Sequence, residues 1–446
     1  MFIKTELQNF QKARPRTEQL WQKALKMLPG GISHNIRTFG LPLIGSFPVF
    51  IKSSKGSQLT DIDDNKYLDC WNGHFAMILG HNPFEVQIIL KEFLKEGWHF
   101  GTNTEFQVLL AEKIIEGNPG IEKIRFCVTG TESTMYASRL ARAFTNKRII
   151  AKAKLGWHGA NDTLSYGIGN LIKELPSPGL LKSEEAGIRT FEINNNDIFN
   201  IIKKNAKDLA AIILEPVLGG GGGFPVEKEF LERLREETER NDILLIFDEV
   251  ITGYRFTNAL FQNQLKILPD LTTMGKIIGG GMPIGAIGGR KDIIEQSSPK
   301  SENQVLIGGG TFSGFPLSMV AGLKTLEVLE GKHEEYQRIG KEGDILRKNL
   351  NRFFTEEKIP LIAIGDKSII MLHACSKWID NPSIREIFAF KDKKREALLQ
   401  LALFNRNISG LHGLGSLSMA HTHEDVVRIQ NVMEEIAHPI SDSKFK

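Results

Sequence analysis

The stretch Leu244-Leu245-Ile246-Phe247-Asp248-Glu249-Val250 sets an unbroken apolar run directly ahead of two acids. A run of this kind reads as a central strand buried on both faces, with Asp248 and Glu249 at its carboxyl end. Ligands of open parallel sheets bind just beyond such strand ends. Downstream comes Thr273-Met274-Gly275-Lys276-Ile277-Ile278-Gly279-Gly280-Gly281, a lysine set between glycines. Glycine on either side leaves backbone room for a bulky group to approach. Asp248 and Lys276 are therefore the two groups around which the rest of the chain is read.

Outward from this pair the chain alternates between strand and helix. Strand candidates lie at 124–129, 148–152, 210–217, 243–248 and 285–289, with helix candidates at 131–145 and 226–240. The alternation predicts an α/β fold with a mostly parallel sheet covered by helices. Before it, an amphipathic helix over 17–28 ends at Pro29-Gly30-Gly31, residues 47–71 read as antiparallel hairpins, and helices follow at 84–96 and 104–116. After Pro316 come helices at 317–330 and 334–354, a strand at 367–373, then helices at 391–406 and 423–436. The expected division is an N-terminal segment 1–75 belonging to a small lobe, a large domain 76–315, and a C-terminal segment 316–446 completing a smaller α+β domain.

Bulk properties bound the function. A length of 446 residues, 41% hydrophobic and 24% charged, fits an ordinary globular enzyme of more than one lobe. A net charge of +3 without a long basic run argues against a nucleic-acid partner. Cys70, Cys127 and Cys375 are far apart and odd in number, which suggests neither a metal site nor a disulfide framework. The polar start, and the lack of any apolar run of about 18 residues, point to a cytoplasmic protein with no membrane span.

Several short motifs cluster at strand ends. Val128-Thr129-Gly130-Thr131-Glu132 runs from a strand into a helix, and its Gly-Thr pair offers free N–H groups and a hydroxyl for a phosphate. Thr131 could equally be a plain helix cap. Neither a Walker loop nor a dinucleotide fingerprint is present. Trp157-His158-Gly159 follows another strand, with a ring able to stack on a flat cofactor and a histidine able to reach its edge. Glu215-Pro216 ends a third strand beside the glycines 219–223, which read as a flexible loop or a linker. Gly310-Thr311 precedes a helix, and Arg37 follows the Gly30-Gly31 break. One organic cofactor would join Asp248 to Lys276: pyridoxal phosphate, PLP, needs a lysine for its Schiff base and a carboxylate for its pyridinium nitrogen.

Taken in order, Pro29-Gly30-Gly31, Arg37, Ile78-Leu79-Gly80-His81, Gly130-Thr131-Glu132, Trp157-His158-Gly159, Glu215-Pro216, Asp248-Glu249-Val250, Gly275-Lys276 and Gly310-Thr311 resemble the class III PLP-dependent aminotransferases. Within them the chain is most similar to the glutamate-1-semialdehyde 2,1-aminomutase subgroup. The resemblance implies PLP-dependent transferase fold type I, with a seven-stranded-type sheet in the large domain. It implies that Lys276 forms the Schiff base and Asp248 pairs with the ring nitrogen, while Val250 and Trp157 cover the two faces of the ring. Gly130 and Thr131 would hold the phosphate, with His158 and Glu215 completing the cofactor site. Thr311 would reach the cofactor phosphate of a neighbouring subunit in a homodimer with interface active sites. Arg37 would take a substrate carboxylate, with His74 and His412 on the substrate side.

The chain departs from the mutase pattern at Trp157 (usually Tyr), Gly220 (usually Asn) and His74 (usually Trp), and in the segment around His412. All of these lie on the substrate side or at the rim of the cofactor. The reading placed first is accordingly an aminotransferase moving an amino group between an amino acid or amino-carbonyl compound and an oxo acceptor. The alternative is the aminomutase, which returns the amino group to a neighbouring carbon of the same molecule, an isomerisation of tetrapyrrole biosynthesis.

Overall fold

The apolar run around Leu244 becomes the middle strand of a seven-stranded sheet in the computed structural model, which describes residues 1–168, 177–411 and 413–445. Two units are distinct: Phe84–Tyr336, and Met1–Pro83 together with Gln337–Lys446. In the first, the sheet strands in chain order are β1 (Lys123–Cys127), β2 (Ile149–Ala153), β3 (Ile188–Phe191), β4 (Leu209–Leu214), β5 (Leu244–Asp248), β6 (Leu271–Gly275) and β7 (Gly285–Gly289). Their spatial order is β1-β7-β6-β5-β4-β2-β3. The contacts β2–β3, β2–β4, β4–β5 and β5–β6 are parallel, and only β7 runs against its neighbours β6 and β1. Every residue of β2, β4, β5, β6 and β7 is buried, which is why β2, β4 and β5 are largely apolar instead of alternating.

Two strands of this sheet escape the sequence reading. Strand β6 carries Thr272 and Thr273, and their polarity disguises a fully buried segment; the hydroxyls are satisfied by Gln262 Oε1 and Asp248 Oδ1. Strand β3 lies at the sheet edge and is only four residues long. The unit limits also differ from the expected 75/76 and 315/316. Helix Pro316–Glu330 packs against helices Phe84–Phe93 and Glu105–Glu116 of the larger unit, so the second break falls inside helix His333–Glu356.

The smaller unit holds a four-stranded sheet of Ile51–Lys55, Gln58–Asp61, Lys66–Asp69 and Ile408–Ser409, and a three-stranded sheet of Leu361–Ile364, Ile369–Ala374 and Gly415–Ser416. The expected hairpins are the antiparallel pairs of the first sheet. Helix Pro15–Leu25 starts earlier than the pattern suggests, because Asp63 accepts from the amides of Arg16 and Thr17 at 2.8 Å each and caps it from a distant loop. No helix among the described residues is long and apolar enough to cross a membrane.

Candidate active site

Asp248 is the last residue of β5, and parallel pairing with β6 sets it opposite Thr273. Its carboxylate is buried and held by three donors. Thr273 Oγ1 and the Val250 amide reach Oδ1 at 2.9 and 3.1 Å, and His158 Nδ1 reaches Oδ2 at 2.8 Å. Burial lowers the His158 pKa, more than its bond to Asp248 raises it, and the Lys152 charge adds to the lowering. The imidazole is therefore neutral, and facing a carboxylate it carries its proton on Nδ1. Its Nε2 is buried with no hydrogen-bond partner among the described residues. The histidine thus orients the acid.

The second acid has turned the other way. Glu249 accepts from the amides of Phe261 and Gln262 at 2.5 and 2.8 Å and from Thr252 Oγ1 at 3.2 Å, so it caps the short helix Phe261–Leu265. Burial pushes its carboxyl up to about 7. Consecutive residues at a strand end point to opposite faces, which separates the Asp-Glu pair into one site acid and one structural acid.

Lys276 leaves the end of β6 in a left-handed conformation, φ 50°, which is uncommon for a residue with a β-carbon. Burial lowers its pKa against the opposing charges of Asp248 and Glu215, and the Arg255 charge lowers it further. Such an amine has a larger neutral fraction and is the better nucleophile. Glu215, just past β4, is pinned through both oxygens, by the Trp157 amide at 2.9 Å and the Gly219 amide at 3.0 Å. Burial, with the Asp248 charge behind it, pushes Glu215 up to about 8.

The helix Gly130–Thr145 begins at this same sheet edge. Thr129, not Thr131, is its N-cap: Thr129 Oγ1 accepts from the Glu132 amide at 3.1 Å, while the Glu132 carboxylate accepts from the Thr129 amide at 3.0 Å. Helix geometry leaves the amides of Gly130 and Thr131 without intrahelical acceptors, ready for an anion. Gly130 lies on Val250, where an added Cβ would come within 3.2 Å of both methyls. Gly159, at φ 85°, lies on Thr131, where a Cβ would meet Oγ1 at 2.4 Å. The glycines 219–223 form neither a linker nor a flexible loop. They are a packed turn of the ribbon Val217–Leu218/Phe224–Pro225, and a Cβ on Gly220 would lie 2.8 Å from that of Trp157. Trp157 itself is 44% exposed.

The larger unit thus brings together Gly130, Thr131, Trp157, His158, Glu215, Asp248, Val250 and Lys276. Thr311 stands exposed in the turn before helix Pro316–Glu330. In the smaller unit Arg37 is exposed on the turn Asn35–Thr38. The His74 ring lies 5.3 Å from that of His34 and 4.8 Å from that of Trp71, and burial with the Arg37 charge lowers the His34 pKa. His412 lies outside the described residues. Thr273, Thr134 and Asn161 were not picked out from the sequence. Thr134 Oγ1 and Asn161 Nδ2 hold the His158 carbonyl at 2.5 and 3.2 Å, and nothing in their sequence positions signals it.

An acid fixed on a middle parallel strand, a lysine with depressed pKa just past the next strand and an anion-ready helix start define a Schiff-base enzyme of the PLP class. The donor set suits that cofactor: a helix start for a phosphate and an oriented carboxylate for a ring nitrogen.

The chain belongs to the class III aminotransferases, whose family model, aminotransferase class-III, matches residues 44–362. It is similar to the glutamate-1-semialdehyde 2,1-aminomutase of Methanosarcina acetivorans, 38% identical over 80% of this chain and 83% of that protein. It is similar also to glutamate-1-semialdehyde 2,1-aminomutase 1 of Macrococcus caseolyticus, 35% identical over 94% of this chain and 97% of that one. Among solved structures, a β-phenylalanine aminotransferase from Variovorax paradoxus superposes with a TM-score of 0.87 at 28% identity, covering 98% of this chain and 97% of that one. The protein is therefore a PLP-dependent enzyme of transferase fold type I acting on small molecules.

Proposed function

We propose that the protein is an aminomutase that isomerises glutamate-1-semialdehyde by moving its amino group to the neighbouring carbon. The names of the similar aminomutases favour this reading over intermolecular transfer. The observation that carries the chemistry is the charge coupling of Asp248, held by three donors, with the depressed-pKa Lys276 just past the adjoining strand. When bound, PLP supplies an electron sink for the pair left as a C–H bond breaks.

The remaining work falls to the chain. Asp248, oriented by His158, would serve the ring nitrogen. Gly130 and Thr131 would hold the phosphate through their amides. Val250 and Trp157 would cover the ring, with Glu215 fixing the Trp157 backbone. Lys276, its pKa lowered by burial, would hold or move a proton at its ε-nitrogen beside the substrate carbons. Arg37 would take a substrate carboxylate as a planar fork, as the family resemblance implies. Transfer to a separate oxo acid is the second reading. It is favoured by Trp157 packed over Gly220, which leaves no room for a side chain at 220, and by the likeness to the β-phenylalanine aminotransferase.

One experiment separates the two. Glutamate-1-semialdehyde alone should be isomerised, with no nitrogen appearing on added pyruvate or 2-oxoglutarate. Nitrogen passing to the oxo acid, with the semialdehyde left unchanged, would establish the transferase instead. In the same assay Arg37→Ala should lose about 1.5–3 kcal/mol of substrate binding, roughly 10- to 100-fold in KM, with the visible absorption unaltered. An unchanged KM would make Arg37 structural.

We also infer a homodimer, in which Thr311 serves the partner's cofactor. Phe84 and Val108, on helices Phe84–Phe93 and Glu105–Glu116, and Trp98 between those helices are 62–69% exposed, large apolar side chains of the kind a partner subunit could cover. Sedimentation should give twice the chain mass of 49.9 kDa, and a monomer alone would refute the inference. Cys70, Cys127 and Cys375 are unpaired and buried, which supports a cytoplasmic location; recovery in a secreted or membrane fraction would count against it.

A further inference from the structure

The bend that carries Trp157 and His158 leaves the sheet at Ala153 and closes where the Leu155 amide donates to the Gly167 carbonyl at 2.9 Å. Apart from the short turn Asp162–Leu164 it contains no regular element, and such a segment is ordinarily mobile. Beneath it is Lys152, paired with Ile213 of β4 on one side and Thr190 of β3 on the other. It is fully buried, in a strand otherwise made of isoleucine and alanine. A buried ammonium costs several kcal/mol unless other oxygens replace its water. Its Nζ donates to the Gly156 carbonyl at 3.0 Å and to the Leu164 carbonyl at 3.0 Å.

Those two carbonyls lie near the two ends of the bend. Gly156 immediately precedes Trp157. Leu164 is tied to His158 by further bonds: its amide donates to Asn161 Oδ1 at 3.0 Å, and Asn161 Nδ2 donates to the His158 carbonyl at 3.2 Å. A compact cation with several rotatable donors on a long apolar stem suits such a bridge, whereas the wide planar fork of arginine does not.

We propose that Lys152 is a positioning residue, its buried ammonium clamping both ends of the bend so that Trp157 and His158 are held toward the cofactor side of the sheet edge. The inference rests on the PLP reading for its functional consequence but not for the clamp itself. The same charge opposes protonation of His158.

The test uses the full chain and Lys152→Met, which keeps the stem and removes the donors. Hydrogen exchange of the stripped apoprotein should show the amides of residues 155–167 exchanging at least about ten-fold faster, while those of β5 and β6 change less than about two-fold. The dissociation constant for added PLP, read by absorbance, should rise about ten-fold or more. Lys152→Gln, which retains a donor, should recover part of both effects. Unchanged exchange in the bend, or protection lost equally across the whole sheet, overturns the proposal, as does failure of both variants to fold. If the wild-type chain takes up no PLP, the cofactor reading fails, while the exchange measurement still decides the clamp.

Discussion

Replacing Lys276 with alanine is expected to reduce turnover by about 10³-fold or more and to abolish covalent trapping of the cofactor by borohydride. The ε-amine serves in two roles, as the group that condenses with the cofactor aldehyde and as the base that moves the substrate proton, so both are lost together. The fold should survive. Alanine keeps a β-carbon at φ 50°, so the local strain neither grows nor is relieved. The loss of the Lys276 charge also removes the attraction that holds the Glu215 pKa down, and that carboxyl should rise further above about 8. The readout is mass spectrometry of peptides from borohydride-treated wild type and variant. A trapped peptide containing Lys152 or Lys154 in place of Lys276 would sink the assignment of the site.

Asp248→Asn should cost about 10²–10³ in kcat, the scale on which one preorganised electrostatic group contributes. The substitution preserves shape, which isolates the charge. It also disturbs the network, because the amide presents a donor where the carboxylate had only acceptors. Either Thr273 Oγ1 or His158 Nδ1 then meets an N–H group. For His158 the remedy is the other tautomer, with its proton on Nε2, an atom buried without an acceptor. Cofactor affinity should therefore fall along with turnover, and the Glu215 pKa should drop because the neighbouring anion is gone. Turnover within about three-fold of wild type would mean that the ring nitrogen is not served by Asp248.

Much of the site was legible because the relevant signals are local. An apolar run ending in an acid, a glycine-flanked lysine and a Gly-Thr at a strand-to-helix junction each declare themselves within a few residues. Strand β6 was not legible, although it delivers the lysine, because Thr272 and Thr273 look like turn residues until Gln262 and Asp248 are brought beside them. The glycines 219–223 read as flexible, and only the packing of Trp157 and Ile251 against them reveals a rigid turn.

By itself, then, the chain's order of residues determined the α/β alternation and the buried strand Leu244–Asp248, and singled out Asp248 and Lys276 as candidates, since apolar periodicity and backbone chemistry act over short spans. Tertiary structure alone decided that Asp248 faces the site while Glu249 caps a helix, that His158 orients the acid, and that Lys152 bridges two distant carbonyls. Those outcomes depend on strand register and on which polar atoms are left to satisfy one another once water is excluded, and neither is written in any local run of sequence.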